Sequence, residues 1–564
     1  MIRIFSSAVF MTTLLFLGCF FIWPIWEIIQ GGFFNIDGKF TLGFFRIIFE
    51  NNTYIKGLLH AIGSGLLSTL LTLAIALPLA YFSHKYDFPF KKLLTTIILL
   101  PIMLPPFVGA IGVQQIFGSY GILNSILLKW GVITPTHAID WLGQYKFLGM
   151  ILMNAFSLYP VLYLNIVASL TNIDPAMEEA AANLGCTGIK RFFKITLPLI
   201  MPGVFAGSTL VFIWAFTELG VPLIFDYNTI TSVQIYFGLK DIGSNPFPYA
   251  LVAVMLCFSV FFYVVGKGFL GCQNFATVSK ATHTATSSKP SWIYQLILSG
   301  IFTSITLAAL LPHITVILKS CAMDWYNSLL PNAWTCKNYE TALGHPLTIP
   351  SIQNSLVYSS CATLITLFLG TSIAFVVVRT KFPCRGIIDA LSMLPVAVPG
   401  LVTAFGYLAM SQVGRPFAFL NSIANPTILL IVAYSIRRLP FMVRSAVAGF
   451  QQISVTYEEA AQCFGCPPLK ATLKITIPLI SANLIAGALL VFSQSMLGVS
   501  DSMILAQKQQ FYPITKAIYE LVHMLGDGPF LACALGVWAM TFLAVTIIGA
   551  SVIMGKSFGS IFRM

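Results

Sequence analysis

The chain has 564 residues, 57% of them hydrophobic and 9% charged, with a mean hydropathy of +0.86. Soluble domains carry about 25% charged residues, so this composition excludes a water-solvated globule, and it equally excludes disordered, collagen-like and small disulfide-rich chains. The net charge of +12, from 31 Lys and Arg against 19 Asp and Glu, then reads as basic loops on one side of a bilayer, not as a nucleic-acid surface.

Taken in chain order, apolar runs predict membrane-spanning helices at about 8–29, 57–82, 94–117, 147–170, 197–224 and 247–266. A second set follows at about 292–318, 354–378, 387–410, 426–446, 478–499 and 529–554. Each run is long enough for about 30 Å of hydrocarbon at about 1.5 Å per residue. Helices satisfy their own backbone hydrogen bonds there. The expected fold class is all-α: a polytopic membrane protein of about 12 transmembrane helices. The first run follows Arg3 without a small-residue cleavage site and reads as a retained signal anchor. Basic clusters (Lys85, Lys91, Lys92; Lys190, Arg191, Lys194; Arg379, Lys381, Arg385) fall on one side, which places both termini in the cytoplasm. The polar stretch 271–290, rich in Ser, Thr and Ala, reads as a cytoplasmic linker between a first domain, 1–270, and a second, 291–564.

Self-comparison shows a repeat. EEAAANLGCTGIKRFFKITLPLI from Glu178 matches EEAAQCFGCPPLKATLKITIPLI from Glu458, an offset of 280 residues. LPIMLPPFVGAIG from Leu100 matches LPVAVPGLVTAFG from Leu394, an offset of 294. The first half therefore carries extra residues between the two blocks, expected in the outer loop around 118–146. Six spans per unit is an even number, so both units enter the membrane from the same side as a parallel repeat. Both EEAA segments then face the cytoplasm.

The repeated segment has a physical reading of its own. Glu178 and Glu179, like Glu458 and Glu459, suit the positive N-terminal end of a helix. Ala180 and Ala181, with Ala460 and Ala461, let another surface approach closely. Gly185 and Gly465 can end the helix by taking a positive φ, and Pro198 and Pro478 fit the first turn of the next span. The product is a short helix shaped to dock in a partner's groove. An ordinary amphipathic loop would explain one copy, but not two with identical spacing at matching places.

Here the chain resembles the permeases of binding-protein-dependent ATP-binding-cassette importers, whose loop motif is EAA-x3-G-x9-I-x-L-P. Glu179-Ala180-Ala181, Gly185, Ile195, Leu197 and Pro198 meet it, as do Glu459-Ala460-Ala461, Gly465, Ile475 and Pro478, with Ile477 in place of Leu. The resemblance implies the type I importer permease fold, in the fused form that joins two six-helix units. It implies that each loop couples to one of two cytoplasmic ATP-binding cassette subunits, which use the ATP. It implies an extracytoplasmic substrate-binding protein, a bacterial inner-membrane location and no cofactor bound by this chain. YSIRRLPFMVRSAVAGF (434–450) and FIWAFTELGVPLIF (212–225) look most like the ferric-iron branch. Thiamine, polyamine, phosphonate and oxyanion permeases such as those for sulfate and molybdate share the fold.

Four residues are candidates for the pathway. Glu218 lies 20 residues after Pro198, about 30 Å along that helix, and Asp501 should sit at a comparable height in the second half. Acids there either face a cavity, where they suit a cation or a complex carrying its counter-ions, or cap helix ends near the headgroups. Arg437 and Arg438 fall within a span, where each costs about 2.5–3.5 kcal/mol to insert. They either pair with an acid, bind an accompanying anion or reach toward the interface. Enzymatic activity is not expected, since Gly555-Lys556-Ser557 has Ala550 where a phosphate-binding loop needs Gly. Cys463 and Cys466 lack a second pair and the seven His lack metal-ligand spacing, so no metal site is expected. Cys321 and Cys336 share an outer loop where a disulfide could form. The rival of another class is an ion-gradient-driven carrier, which can also have twelve spans and a parallel repeat.

Overall fold

A computed structural model of the chain describes residues 2–553 apart from 36–37, 135–137, 240–241, 243–244 and 272–288. The predicted linker at 271–290 lies almost wholly outside the described residues, and Gly555-Lys556-Ser557 wholly so.

Every apolar run forms helix, and the elements recur in the same order in both repeats. The first repeat comprises α1 (Ile2–Leu17), α2 (Trp23–Phe33), α3 (Gly43–Glu50), α4 (Asn52–Lys85), α5 (Lys91–Ile97), α6 (Pro106–Phe117), α7 (Ile122–Lys129), α8 (Trp141–Thr171), α9 (Pro175–Asn183), α10 (Gly188–Arg191), α11 (Leu197–Phe216), α12 (Gly220–Ile224), α13 (Thr231–Gly238) and α14 (Phe247–Gly271). The second comprises α15 (Trp292–Ser320), α16 (Lys337–Gly344), α17 (Thr348–Arg379), α18 (Arg385–Met393), α19 (Gly400–Met410), α20 (Thr427–Gln452), α21 (Thr456–Cys463), α22 (Pro468–Ala471), α23 (Ile477–Leu479), α24 (Ser481–Met496), α25 (Val499–Leu505), α26 (Ile514–Val522) and α27 (Gly528–Ile553). The extra length of the first half forms α7 and its flanks. One departure from an all-helical chain is a two-stranded antiparallel hairpin, β1 (Ala322–Asp324) with β2 (Ala333–Trp334). Cys321 and Cys336 flank it as free thiols.

Among the described residues, nine helices are long and apolar enough to cross a membrane, and eleven when each of two bent pairs counts as one span. The pairs are Arg385–Val396 with Gly400–Met410, bent by 97°, and Pro468–Leu479 with Ser481–Met496, bent by 73°. Pro399 sits in the first break and Pro478 two residues before the second, at Ile480; proline donates no backbone hydrogen bond and crowds the preceding turn. The twelfth predicted span is α20, whose 26 residues reach about 39 Å but include Arg437, Arg438 and Arg444. The span expected from residue 197 begins earlier, since α10 runs into α11 through a π turn, Phe192–Thr196, repeated as Thr472–Thr476. Pro198 and Pro478 follow these turns. A proline ring presses on the carbonyl four residues back, and widening the turn relieves that pressure.

The repeats exchange their first helices. α2 packs on α19 of the second repeat, and α15 packs on α6 of the first. Both crossings use a proline against a glycine at corresponding places. A Cβ on Gly112 would run into the carbonyl of Pro312, and one on Gly406 would lie 2.7 Å from Pro24 Cβ and 2.8 Å from its oxygen. These are the last glycines of the two LP blocks. Tyr407 donates to Phe20 O at 2.6 Å nearby. Buried Glu27 accepts from Trp23 Nε1 at 3.1 Å and pairs with Arg415 at 3.2 Å. Gly406→Val is expected to lower the melting temperature of the purified protein by separating these backbones, a cost of about 1–3 kcal/mol; an unchanged melting temperature would contradict a tight crossing.

Candidate functional site

The two EEAA segments fold alike. Asp174 Oδ1 caps α9 by accepting from Ala176 N–H at 3.0 Å, and Ser454 Oγ accepts from Thr456 N–H at 3.3 Å ahead of α21. Each helix then stops at its glycine. Gly185 (φ 78°) donates to Ala182 O at 2.9 Å and Cys186 to Ala181 O at 2.9 Å; Gly465 (φ 83°) donates to Gln462 O at 2.9 Å and Cys466 to Ala461 O at 3.0 Å. This paired closure satisfies the last carbonyls and needs a left-handed residue at the glycine.

The two glutamates of each copy divide their work. Glu178 accepts from Thr196 Oγ1 at 2.7 Å, with Arg191 at 3.9 Å. Glu458 accepts from Thr476 Oγ1 and pairs with Arg379 at 3.1 Å. The first glutamate thus ties the loop to the bundle, whereas Glu179 and Glu459 are exposed, together with Ala180 and Ala460. Ala181 is buried and Ala461 half-buried. Leu184, 88% exposed, and Phe464, 93% exposed, stand out just before the glycines. Sequence reasoning passed over both, although an apolar residue before the stop glycine in each copy was the available signal.

Both loops lie at the same end of the bundle. Phe192, just after the first loop, meets Tyr81 near the end of α4 at 4.8 Å between ring centroids. Ser299, near the start of α15, donates to Pro89 O at 3.1 Å beyond that same end of α4. α15 then leaves, α17 returns, and Arg379 at the end of α17 meets Glu458.

A cavity of about 200 Å³ lies between the repeats. The LP blocks wall it from both sides: Pro101, Ile102 and Leu104 answer Pro395, Val396 and Val398. The remaining walls are unequal. Aligning Pro160 with Pro440 sets Ser157 and Leu158 against Arg437 and Arg438, and all four line the cavity. Glu218 lines it too, in the break between α11 and α12; its Oε1 accepts from Gly220 N–H at 2.9 Å and Val221 N–H at 3.4 Å. It therefore caps a helix and faces the cavity at once. Asp501 does not line the cavity. It is fully buried behind it, with Oδ2 2.6 Å from Arg437 Nη1 and 3.4 Å from Arg438 Nη1. Arg438 also donates to Gln494 O at 2.7 Å and lies 4.8 Å above the Tyr434 ring. Gly400 makes room for this cluster, since a Cβ there would collide with the Arg437 guanidinium. The four sequence candidates thus come together, and two arginines against two carboxylates leave the wall with no formal charge.

At the end away from the loops the repeats meet again. Lys516 of α26 donates to Tyr236 Oη of α13 at 2.9 Å and pairs with Glu520 at 3.3 Å. The rings of Tyr236, Tyr512 and Tyr519 surround its ammonium at 5.3–5.7 Å. Burial pushes the Tyr236 hydroxyl up to about 12, so it meets the ammonium as a neutral acceptor. His523 lies 3.7 Å from Asp226 across the same junction. Among the described residues, no group of three or more His, Cys, Asp and Glu is placed to hold a metal ion.

The model of the family described as binding-protein-dependent transport system inner membrane component matches residues 73–274 and again 349–552. The chain is 26% identical to the ferric transport system permease protein FbpB of Actinobacillus pleuropneumoniae, over 81% of its own length and 64% of that protein's, so it spans a little under two thirds of that relative. It is 27% identical to the putative ferric transport system permease protein FbpB 1 of Haemophilus influenzae, over 80% of this chain and 69% of that one. The molybdenum transport system permease protein ModB of Haemophilus influenzae is 33% identical over 30% of this chain and 69% of that protein. A crystal structure of a bacterial ABC transporter involved in the import of the acidic polysaccharide alginate is 18% identical, covers 48% of this chain and 99% of that one, and superposes with a TM-score of 0.36. With the family's domain present in both repeats, the chain belongs to the family of binding-protein-dependent transport system inner membrane components.

Proposed function

We propose that this chain is the fused permease of a bacterial ATP-driven importer of ferric iron. An extracytoplasmic binding protein delivers the substrate, and two cytoplasmic ATP-binding cassette subunits hydrolyse ATP. Both termini are cytoplasmic, the chain itself binds no cofactor, and it is not an enzyme. The carrying observation is the pair of matching loops at one end of the bundle, each presenting an exposed acid, alanine and apolar knob. Glu178, Glu179, Ala180, Ala181 and Gly185 form one docking helix, and Glu458, Glu459, Ala460, Ala461 and Gly465 the other. When the two ATPase subunits close on ATP, they draw both helices together and the repeats rock from inward-facing to outward-facing. Docking couples to this motion only through contacts that differ between the states.

Glu218, Arg437 and Arg438 face the passing substrate, with Asp501 holding the arginines in place. A bare trivalent cation meets no net negative charge here, and an oxyanion meets no net positive charge. The balanced wall suits ferric iron moving with ligands that offset its charge. The test is uptake into vesicles containing the chain, the two ATPase subunits and the binding protein. Ferric iron should enter with ATP and not with an ion gradient alone, and molybdate should not compete. Gradient-driven entry without ATP would favour the secondary-carrier alternative.

The junction around Lys516 holds the pathway shut on the binding-protein side. Lys516→Met removes the ammonium from Tyr236 and Glu520, contacts worth about 1–2 kcal/mol in a desolvated site. The outward-open state should gain population by roughly tenfold, read as ATP hydrolysis in the absence of binding protein rising several-fold. Unchanged basal hydrolysis would contradict the latch.

A further inference from the structure

Away from the central cavity, a groove of about 570 Å³ lies beside the second docking loop. Phe5 of α1, Phe375 of α17, Phe450 of α20, and Leu473 and Ile485 along the chain leaving the loop form its walls, with only hydroxyl groups for polarity. Leu473 is 66% exposed and Ile485 44%, so the groove opens sideways, where a membrane helix meets hydrocarbon. The first repeat is an internal comparison. There Phe192 stands where the second repeat has Thr472, and it fills the space against Tyr81, the counterpart of Phe375. The exchange of Phe for Thr opens the groove.

An apolar groove within a bilayer cannot by itself select an occupant, because an acyl chain entering it only leaves other hydrocarbon. Selection must come from the edge. Lys470 and Lys474, one turn apart, follow the groove residues Leu469 and Leu473; both are exposed, and neither forms an ion pair among the described residues. Two lysines at the membrane surface favour an anionic headgroup on the order of tenfold. We propose that the groove binds an acyl chain of an anionic phospholipid from the leaflet on the docking-loop side, with its phosphate between Lys470 and Lys474. The lipid then wedges between α1 and the π turn that follows the second loop.

The test is the mass of the intact, full-length protein released from membranes containing equal phosphatidylglycerol and phosphatidylcholine. The expected result is one retained phosphatidylglycerol per chain, on the order of tenfold over phosphatidylcholine. Thr472→Phe, which installs the first repeat's own residue, should lose it. Lys470→Gln with Lys474→Gln, both exposed and safe for folding, should keep a lipid but lose the preference for the anionic one. Equal retention of both lipids by the unaltered protein, no retained lipid, a second copy of the chain in its place, or an unchanged preference in the double lysine variant would each overturn the proposal. The readout is bound mass, so it stands or falls separately from the importer reading.

Discussion

Asp501→Ala is expected to leave the protein unable to support uptake and markedly less stable. Asp501 is fully buried and, among the described residues, is the one carboxylate in ion-pair contact with Arg437 and Arg438. Removing it leaves two adjacent guanidiniums, one of them 5% exposed at its side chain, with no carboxylate in ion-pair contact among the described residues. Breaking such a pair from one side costs about 3–5 kcal/mol, whereas replacing all partners by apolar groups of similar volume is often neutral. Thermal unfolding should therefore show a large loss for Asp501→Ala and a recovery when Arg437→Leu, Arg438→Leu and Asp501→Leu are combined. Uptake separates structure from pathway. The triple variant should regain stability yet keep less than about a tenth of the uptake, a loss of at least about 1.4 kcal/mol, because Arg437 faces the cavity. Full recovery of uptake in the triple variant would make the cluster merely structural.

The second large effect belongs to the loops. Gly185→Val and Gly465→Val are expected to abolish uptake while the chain still inserts and folds. Space is not the obstacle, since a Cβ at either position would meet nothing within 4 Å. The backbone is: φ of 78° and 83° costs a β-branched residue about 1–2 kcal/mol. The helix then fails to close over Ala181 or Ala461, and Leu184 or Phe464 points elsewhere. Such a cost is small for a bundle of this size but decisive for a docking surface. Leu184→Asp with Phe464→Asp should give the same loss with no backbone change at all. Normal ATP-dependent uptake by these variants would contradict the docking role.

The spans were legible because hydrocarbon imposes long apolar runs on any helix that crosses it, and the repeat because both units carry the same loop. Gly185 and Gly465 were legible as stops because a helix followed by glycine has few ways to end. What the residues do not disclose locally is who meets whom. The exchange of α2 and α15 between repeats depends on Pro24 meeting Gly406 and Pro312 meeting Gly112, pairs that nothing in their immediate neighbourhoods announces. The inward turn of Glu178 and Glu458 rests on Thr196 and Thr476, 18 residues downstream. Asp501 and Arg437 were each conspicuous as charges in apolar surroundings, but their contact spans 64 residues, so the sequence left pairing, anion binding and reaching outward all open. Glu218 was expected either to cap a helix or to face a cavity, and it does both because α12 begins inside the bundle.

The most direct measurement is the subunit stoichiometry of the complex purified gently through this chain from its native membrane. Two ATP-binding cassette subunits should accompany each copy, falling to none when Leu184→Asp and Phe464→Asp are combined. A chain that purifies alone, or holds a single ATPase subunit that survives loss of both knobs, would contradict a machine driven through two docking helices.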